Sequence, residues 1–274
     1  FRTSPGRVPI YPSKVGWSPL SVQGPMARNV EDCALLLAAM AGPDSRVPIS
    51  ITDPGQIFLE SLKRDFDGVK IAWSRDLGGL PIDPSITTVI DSNRDVFNNL
   101  GCEIDDAEPD LTYANELFLI WRGWVREINQ GEILKKFRSQ LKDTLIWDIE
   151  QGLNLNGSDL GWAEAKRSEL FQRMHHFMEK YEFLICPVSQ VPPFDVQDRW
   201  IKEINGVEME NFIAWMKSCY YITATGHPAI SIPCGFTVDG LPIGVQIVGR
   251  YRDDIGVLQI AKAFEDATGF WKTL

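Results

Sequence analysis

The sequence predicts a single α/β domain spanning residues 1–274, with a sheet in the middle and helices outside. Three observations carry that expectation. Residues 68–106 read strand, helix, strand; residues 182–187 form a compact apolar run of the kind that makes a buried strand; and two β-rich segments at 229–233 and 244–249 flank a glycine turn. Amphipathic helical stripes fill the intervals. Hydrophobic residues make up 44% of the chain and charged residues 23%, a globular and not a disordered balance.

The elements follow in order. Asn29 is placed to cap a helix whose apolar face is Val30, Cys33, Ala34, Leu37 and Ala41, with Asp32 as a capping-box acid and Gly42-Pro43 as the stop. Gly68–Trp73 reads as a short strand. Asp83-Pro84 then starts a helix with Ile86, Val89, Ile90, Phe97 and Leu100 inward, and Cys102–Asp106 supplies a second strand. The middle is helical: Leu117, Trp121, Trp124 and Ile128 form one stripe, and Leu170, Met174, Phe177, Met178 and Tyr181 another. Pro192-Pro193 marks a surface loop, and Met209, Phe212, Ile213, Met216 and Tyr220 make a further helical face. Gly240 turns the two late strands into an antiparallel pair, and Asp253 or Asp254 caps a last helix carrying Val257, Ile260, Ala261 and Phe264.

Charge and composition remove several function classes. Thirty-seven acids against 27 bases leave a net charge of −10, with the excess shared evenly between the two halves. Such a chain repels phosphate backbones, so no nucleic-acid partner is expected. No apolar run approaches the ~20 residues of a membrane span, so no membrane partner is expected either. Five scattered cysteines, an odd number, suit reduced thiols in the cytoplasm better than a disulfide framework.

A search for chemistry finds little. His175 and His176 are adjacent on a helix and point about 100° apart, so they cannot make the i, i+4 zinc pair. Asp105, Asp106, Glu108 and Asp110 lack calcium-loop spacing and read as a surface turn. Neither a phosphate loop nor a Gly-x-Ser-x-Gly elbow occurs, and His227, extended before Pro228, reads as a packing residue. No metal or cofactor is expected.

Two segments are more specific. Ser4-Pro5-Gly6-Arg7-Val8-Pro9, followed by Gly24-Pro25-Met26-Ala27-Arg28-Asn29-Val30-Glu31-Asp32, resembles the amidase signature family. So does the late segment from Gly226-His227-Pro228-Ala229 through Gly244-Val245-Gln246-Ile247-Val248-Gly249. Glu203–Val207, with Trp215-Met216, is similar to the stand-alone amidases of that family. The resemblance implies one mixed sheet covered by helices on both faces, and hydrolysis of a carboxylic amide to acid plus ammonia or amine. The family's machinery is a lysine base, a serine held by a cis peptide, and an attacking serine.

In the family those three residues precede the Ser-Pro-Gly-Arg stretch. The resemblance therefore implies that this chain is the C-terminal portion of an amidase, with no catalytic residue of its own and no activity alone. The front would lie before Phe1, in the same molecule or in a complementing chain. What the resemblance assigns to the present part is scaffold and acyl-side pocket. By position that wall comprises Ser218, Tyr220, Tyr221, Thr223 and Thr225, with Trp121 opposite, and its aromatic bias suits an apolar or aryl acyl group. The expected partners are a small-molecule amide, the missing front, and a possible second copy as a homodimer. The alternative is a non-catalytic subunit or binding module built on the same fold.

Overall fold

Alternation along the strands decides the architecture. The structure, a computed structural model, describes residues 1–273. Strands β1 (Lys70–Trp73), β2 (Glu103–Asp106), β3 (Phe183–Pro187), β6 (Ala229–Phe236) and β7 (Pro242–Gly249) form one sheet in the order β2-β1-β3-β7-β6. β1 runs parallel to both β2 and β3, while β7 is antiparallel to β3 and β6, so the sheet is mixed. A separate hairpin pairs β4 (Glu203–Ile204) with β5 (Val207–Glu208).

Successive strand residues point to opposite faces. Ile71, Trp73, Phe183, Ile185, Ile230, Ile232, Val245 and Ile247 enter one core. It is closed by α1 (Val30–Met40), α2 (Pro84–Asp91), α3 (Arg94–Asn99) and α8 (Asp254–Thr268). Ala72, Leu184, Cys186, Ala229 and Val248 enter the other, closed by α4 (Ala114–Phe137), α6 (Gly157–Lys180) and α7 (Lys217–Thr225). The helix α5 (Asp143–Leu153) packs on α4. Helices thus cover both faces of a mixed sheet, as expected. β3 is buried along its whole length, which is why its sequence does not alternate.

Several boundaries differ from expectation. The helix read from Asp83 to Leu100 is two, α2 and α3. Asn93 Nδ2 donates to Val89 O at 2.8 Å and to Cys234 O at 2.7 Å, tying the chain to β6 and interrupting the helical ladder. The face read from Met209 belongs only in its last turn to α7. Asn211 Oδ1 accepts from the Ile213 amide at 3.1 Å, and a short tight turn at Ala214–Met216 precedes the helix. The Asn205-Gly206 hairpin and α5 lie outside the expected elements. Asp32 does reach back to Asn29, but to its side-chain amide (2.8 Å), while Asn29 Oδ1 accepts from Asp32 N at 2.7 Å.

The opening loop is anchored across the molecule. Arg2 and Ala229 exchange backbone hydrogen bonds of 2.7 and 2.9 Å, adding one rung to the outer edge of β6. Ser4 N donates to Asp254 Oδ1 at 2.7 Å, and Arg7 Nε donates to Asp254 Oδ2 at 2.9 Å. Gly6 holds φ +83°, and a Cβ there would lie 1.9 Å from Ile49 O, so only glycine fits this part of the motif. Glu265 of α8 caps α1 by accepting from Val30 N at 2.9 Å. Among the described residues no helix is long and apolar enough to cross a membrane.

Candidate functional site

The end of β3 and the start of α7 are joined by buried amides. α7 has no side-chain cap of its own. Gln190, fully buried, supplies one: its Oε1 accepts from Lys217 N at 2.6 Å and its Nε2 donates to Pro81 O at 3.1 Å. Ser218 Oγ donates to Val188 O at 2.8 Å. Gln246 Nε2, on β7, lies 3.3 Å from Ser218 O and 3.4 Å from Pro187 O. Three side chains thus fix α7 against the sheet. Neither glutamine stands out in the sequence, where nothing distinguishes a buried amide from an exposed one.

The six residues expected to line a pocket occupy different surroundings. Tyr220 stacks on Phe118 with ring centroids 4.3 Å apart, and its hydroxyl donates to Asn115 Oδ1 at 2.6 Å. Tyr221 meets Tyr220 edge-on at 5.5 Å, and Trp121 joins the same apolar cluster, with its ring across Trp124 at 5.0 Å. These three aromatics are brought together. Ser218 and Thr225 are buried and bond to nearby carbonyls, Val188 O and Ile222 O. Thr223 Oγ1 donates to Cys219 O at 3.2 Å.

Three of the six border open space, each a different cavity. Tyr221 lines one of about 660 Å³ with Glu108, Asn115 and Lys217. Thr223 lines one of about 390 Å³ with Arg2 and Phe118. Thr225 lines one of about 240 Å³ with Arg167 and Tyr251. Burial, reinforced by Glu116 and Glu210, pushes the Tyr221 hydroxyl up to about 12, and burial drives that of Tyr220 well above its ordinary value. Both are neutral hydrogen-bond donors at physiological pH.

Two serines meet carboxylates. Ser85 Oγ lies 2.6 Å from Asp83, its own helix cap. Ser74 Oγ donates to Glu108 Oε2 at 2.5 Å and accepts from Leu77 N at 2.8 Å. Ser74 is fully buried in a turn, so no carbonyl carbon can reach it. Burial raises the Glu108 carboxyl above its ordinary value. Among the described residues no serine hydroxyl is bonded to a lysine or histidine side chain, Ser61 Oγ accepting only from the Lys63 backbone amide at 3.2 Å, and no cluster of three metal-ligating side chains occurs. His175 and His176 are exposed beside Glu179. His227 is buried with Nε2 unpartnered, its imidazole brought down to about 4 by burial.

The model of the Amidase family matches residues 1–258. An acylamidase of Rhodococcus erythropolis is 33% identical over 88% of this chain and 51% of its own length. A glutamyl-tRNA(Gln) amidotransferase subunit of Geobacillus kaustophilus is 26% identical over 97% of this chain and 59% of its own. Among solved structures, a bacterial aryl acylamidase of the amidase signature enzymes superposes with a TM-score of 0.86 at 24% identity, over 99% of this chain and 59% of that one. A 6-aminohexanoate cyclic dimer hydrolase gives 0.80 at 17% identity, over 99% and 60%. The chain spans between half and three-fifths of the length of these relatives.

Proposed function

Since the chain belongs to the amidase signature family, we propose that it is the scaffold and acyl-side wall of a serine amidase. In this reading the attacking serine, the cis serine and the lysine base lie on polypeptide before Phe1, and the residues described above have no activity alone. The single observation that carries the reading is the partial span: the chain covers 51% of the acylamidase and 59% of the amidotransferase subunit. β6 is the last strand of the sheet, and among the described residues Arg2 pairs with it at Ala229 alone.

The proposed reaction is acyl transfer. A lysine, neutral because its site disfavours charge, takes the proton of the relaying serine, which takes that of the attacking serine. The serine oxygen bonds to the amide carbon, the C–N bond breaks, and the nitrogen leaves with a proton as ammonia or amine. Water then cleaves the acyl-enzyme to the acid. Backbone N–H groups hold the oxyanion. From this chain the proposed wall is Trp121, Ser218, Tyr220, Tyr221, Thr223 and Thr225. Tyr221, Thr223 and Thr225 each border a cavity, and Ser218, Tyr220 and Trp121 pack beside them. Such a wall suits an apolar or aryl acyl group.

The test is labelling of the full-length protein with a serine-reactive fluorophosphonate, followed by turnover of a panel of aliphatic and aryl amides. One labelled serine upstream of Phe1 and release of acid from aryl amides are expected. A complete protein that neither labels nor turns over would instead establish the non-catalytic subunit or binding module.

A further inference from the structure

Arg2 is an unusual cation. Its side chain is largely buried, and among the described residues its Nε has no hydrogen-bond partner and a terminal nitrogen reaches two backbone carbonyls, Thr223 O at 3.3 Å and Leu20 O at 3.5 Å. Among the described residues no carboxylate lies within ion-pair distance of it, whereas Arg7, also buried, has two. Burial, with Arg167 near, lowers the guanidinium to about 10, so it stays charged at neutral pH. A charge held out of water without a counter-ion is costly, because nothing replaces its lost hydration.

The surroundings sharpen the imbalance. The cavity of about 390 Å³ beside Arg2 is also lined by Arg122 and Arg126 of α4. These two share one carboxylate, Asp148, which takes Arg122 Nε at 2.9 Å and lies 3.6 Å from Arg126 Nε. Three guanidiniums therefore face one acid, in a chain whose net charge is −10. Asn129 and Thr223 add polar groups to the lining. Leu20 and Val22, with Phe118 and Val125 beside the arginines on α4, add apolar lining. Ser21, Val22, Val125 and Asn129 also line the adjoining cavity of about 570 Å³, whose walls include Val8, Val15 and Ile49. The two spaces therefore adjoin along α4 at Val125 and Asn129, and the second also carries Lys14, whose Nζ donates to Ile128 O at 3.0 Å.

We infer that this trough binds a small carboxylate-bearing ligand with an apolar body, its carboxylate on Arg2 and Arg126 and its body toward Val22 and Val125. The planar fork of arginine matches the two oxygens of a carboxylate, and the excess charge is what such an anion neutralises. The apolar lining would be unused by a bare inorganic anion. Thr223, placed above in the acyl wall, also lines this trough, so the two proposals share that residue, but this one is read by ligand binding and not by turnover.

The test uses the full-length protein at low ionic strength, with phenylacetate as probe and 2-phenylethanol as its uncharged counterpart, by isothermal titration calorimetry. Phenylacetate is expected to bind at least about tenfold more tightly than 2-phenylethanol. Arg2→Met is expected to weaken phenylacetate about tenfold, while leaving 2-phenylethanol unchanged. Arg126→Gln is expected to weaken it several-fold, and because Arg126 is partly exposed this variant does not depend on Arg2→Met folding. Raised salt weakens the anion only. Equal binding of the two probes, absence of phenylacetate binding at about 10 mM, or affinity unmoved by both variants would overturn the inference. Labelling at a serine has no bearing on any of these readings.

Discussion

Arg7 Nε lies 2.9 Å from Asp254 Oδ2, with both side chains almost wholly shielded from water. The other Asp254 oxygen holds the Ser4 amide, and Arg7 uses a second nitrogen for Asp53, which is half-exposed. The Ser-Pro-Gly-Arg motif is thereby locked onto the first turn of α8. Removing one member of a buried pair leaves the other unpaired and costs about 3–5 kcal/mol, whereas removing both costs less. Arg7→Met and Asp254→Leu are each expected to lower the denaturation free energy by that order. The double variant is expected to recover part of the loss in a double-mutant cycle.

Glycine positions separate strain from collision. Gly240 has φ +79° with nothing within 4 Å of a would-be Cβ, so Gly240→Ala should cost only the left-handed penalty of about 1–2 kcal/mol. Gly6 has nearly the same φ, but its Cβ would strike the Ile49 carbonyl. Gly6→Ala is expected to cost clearly more, read as a larger fall in urea midpoint at unchanged slope.

His227 makes stability depend on pH. Its imidazole is lowered from an ordinary 6.5 to about 4 by burial. Between those values the unfolded chain binds the proton and the native state does not, so stability falls as pH drops from about 6.5 toward 4 and levels off below. The contribution is roughly 3 kcal/mol across that window. Replacing His227 by Gln, which cannot titrate, should flatten the stability profile between pH 6.5 and 4; an unchanged slope would assign it to the carboxylates.

Tyr220 and Tyr221 are adjacent yet should respond differently. Tyr220→Ala removes the ring stacked on Phe118 and should destabilise by about 3–5 kcal/mol. Tyr221→Phe removes only a hydroxyl that borders a cavity, so stability should hold within about 1 kcal/mol. If Tyr221 meets substrate as proposed, the same variant in the full-length protein should raise KM for aryl amides several-fold with kcat little changed. A proportionate fall in kcat at constant KM would remove it from the acyl wall.

Much of this architecture is legible in the sequence because periodicity reports burial. Ile71 and Trp73 against Ala72, and the α8 face of Val257, Ile260, Ala261 and Phe264, follow their patterns directly. What escapes is set by long-range polar contacts. Nothing near Asn93 announces that its amide will grip Cys234 O and split a helix, and nothing near Gln190 announces that it will cap α7 from 27 residues away. The Asn205-Gly206 turn is local and within reach of a sequence reading, since Asn-Gly is the strongest hairpin signal. The candidate site is the least legible part. Position along α7 says which residues are near one another, but only packing decides that Tyr221, Thr223 and Thr225 open onto three separate spaces.

The bond from Ser4 to Asp254 joins residues 250 positions apart. During synthesis the opening loop therefore emerges from the ribosome long before its anchor exists, by on the order of tens of seconds at ordinary translation rates. Until α8 follows, the Arg7 cation and the backbone around Gly6 are solvated and unfixed. This part of the structure thus cannot be completed in the order of its synthesis; the loop at residues 4–7 and α8 lock together in one late step.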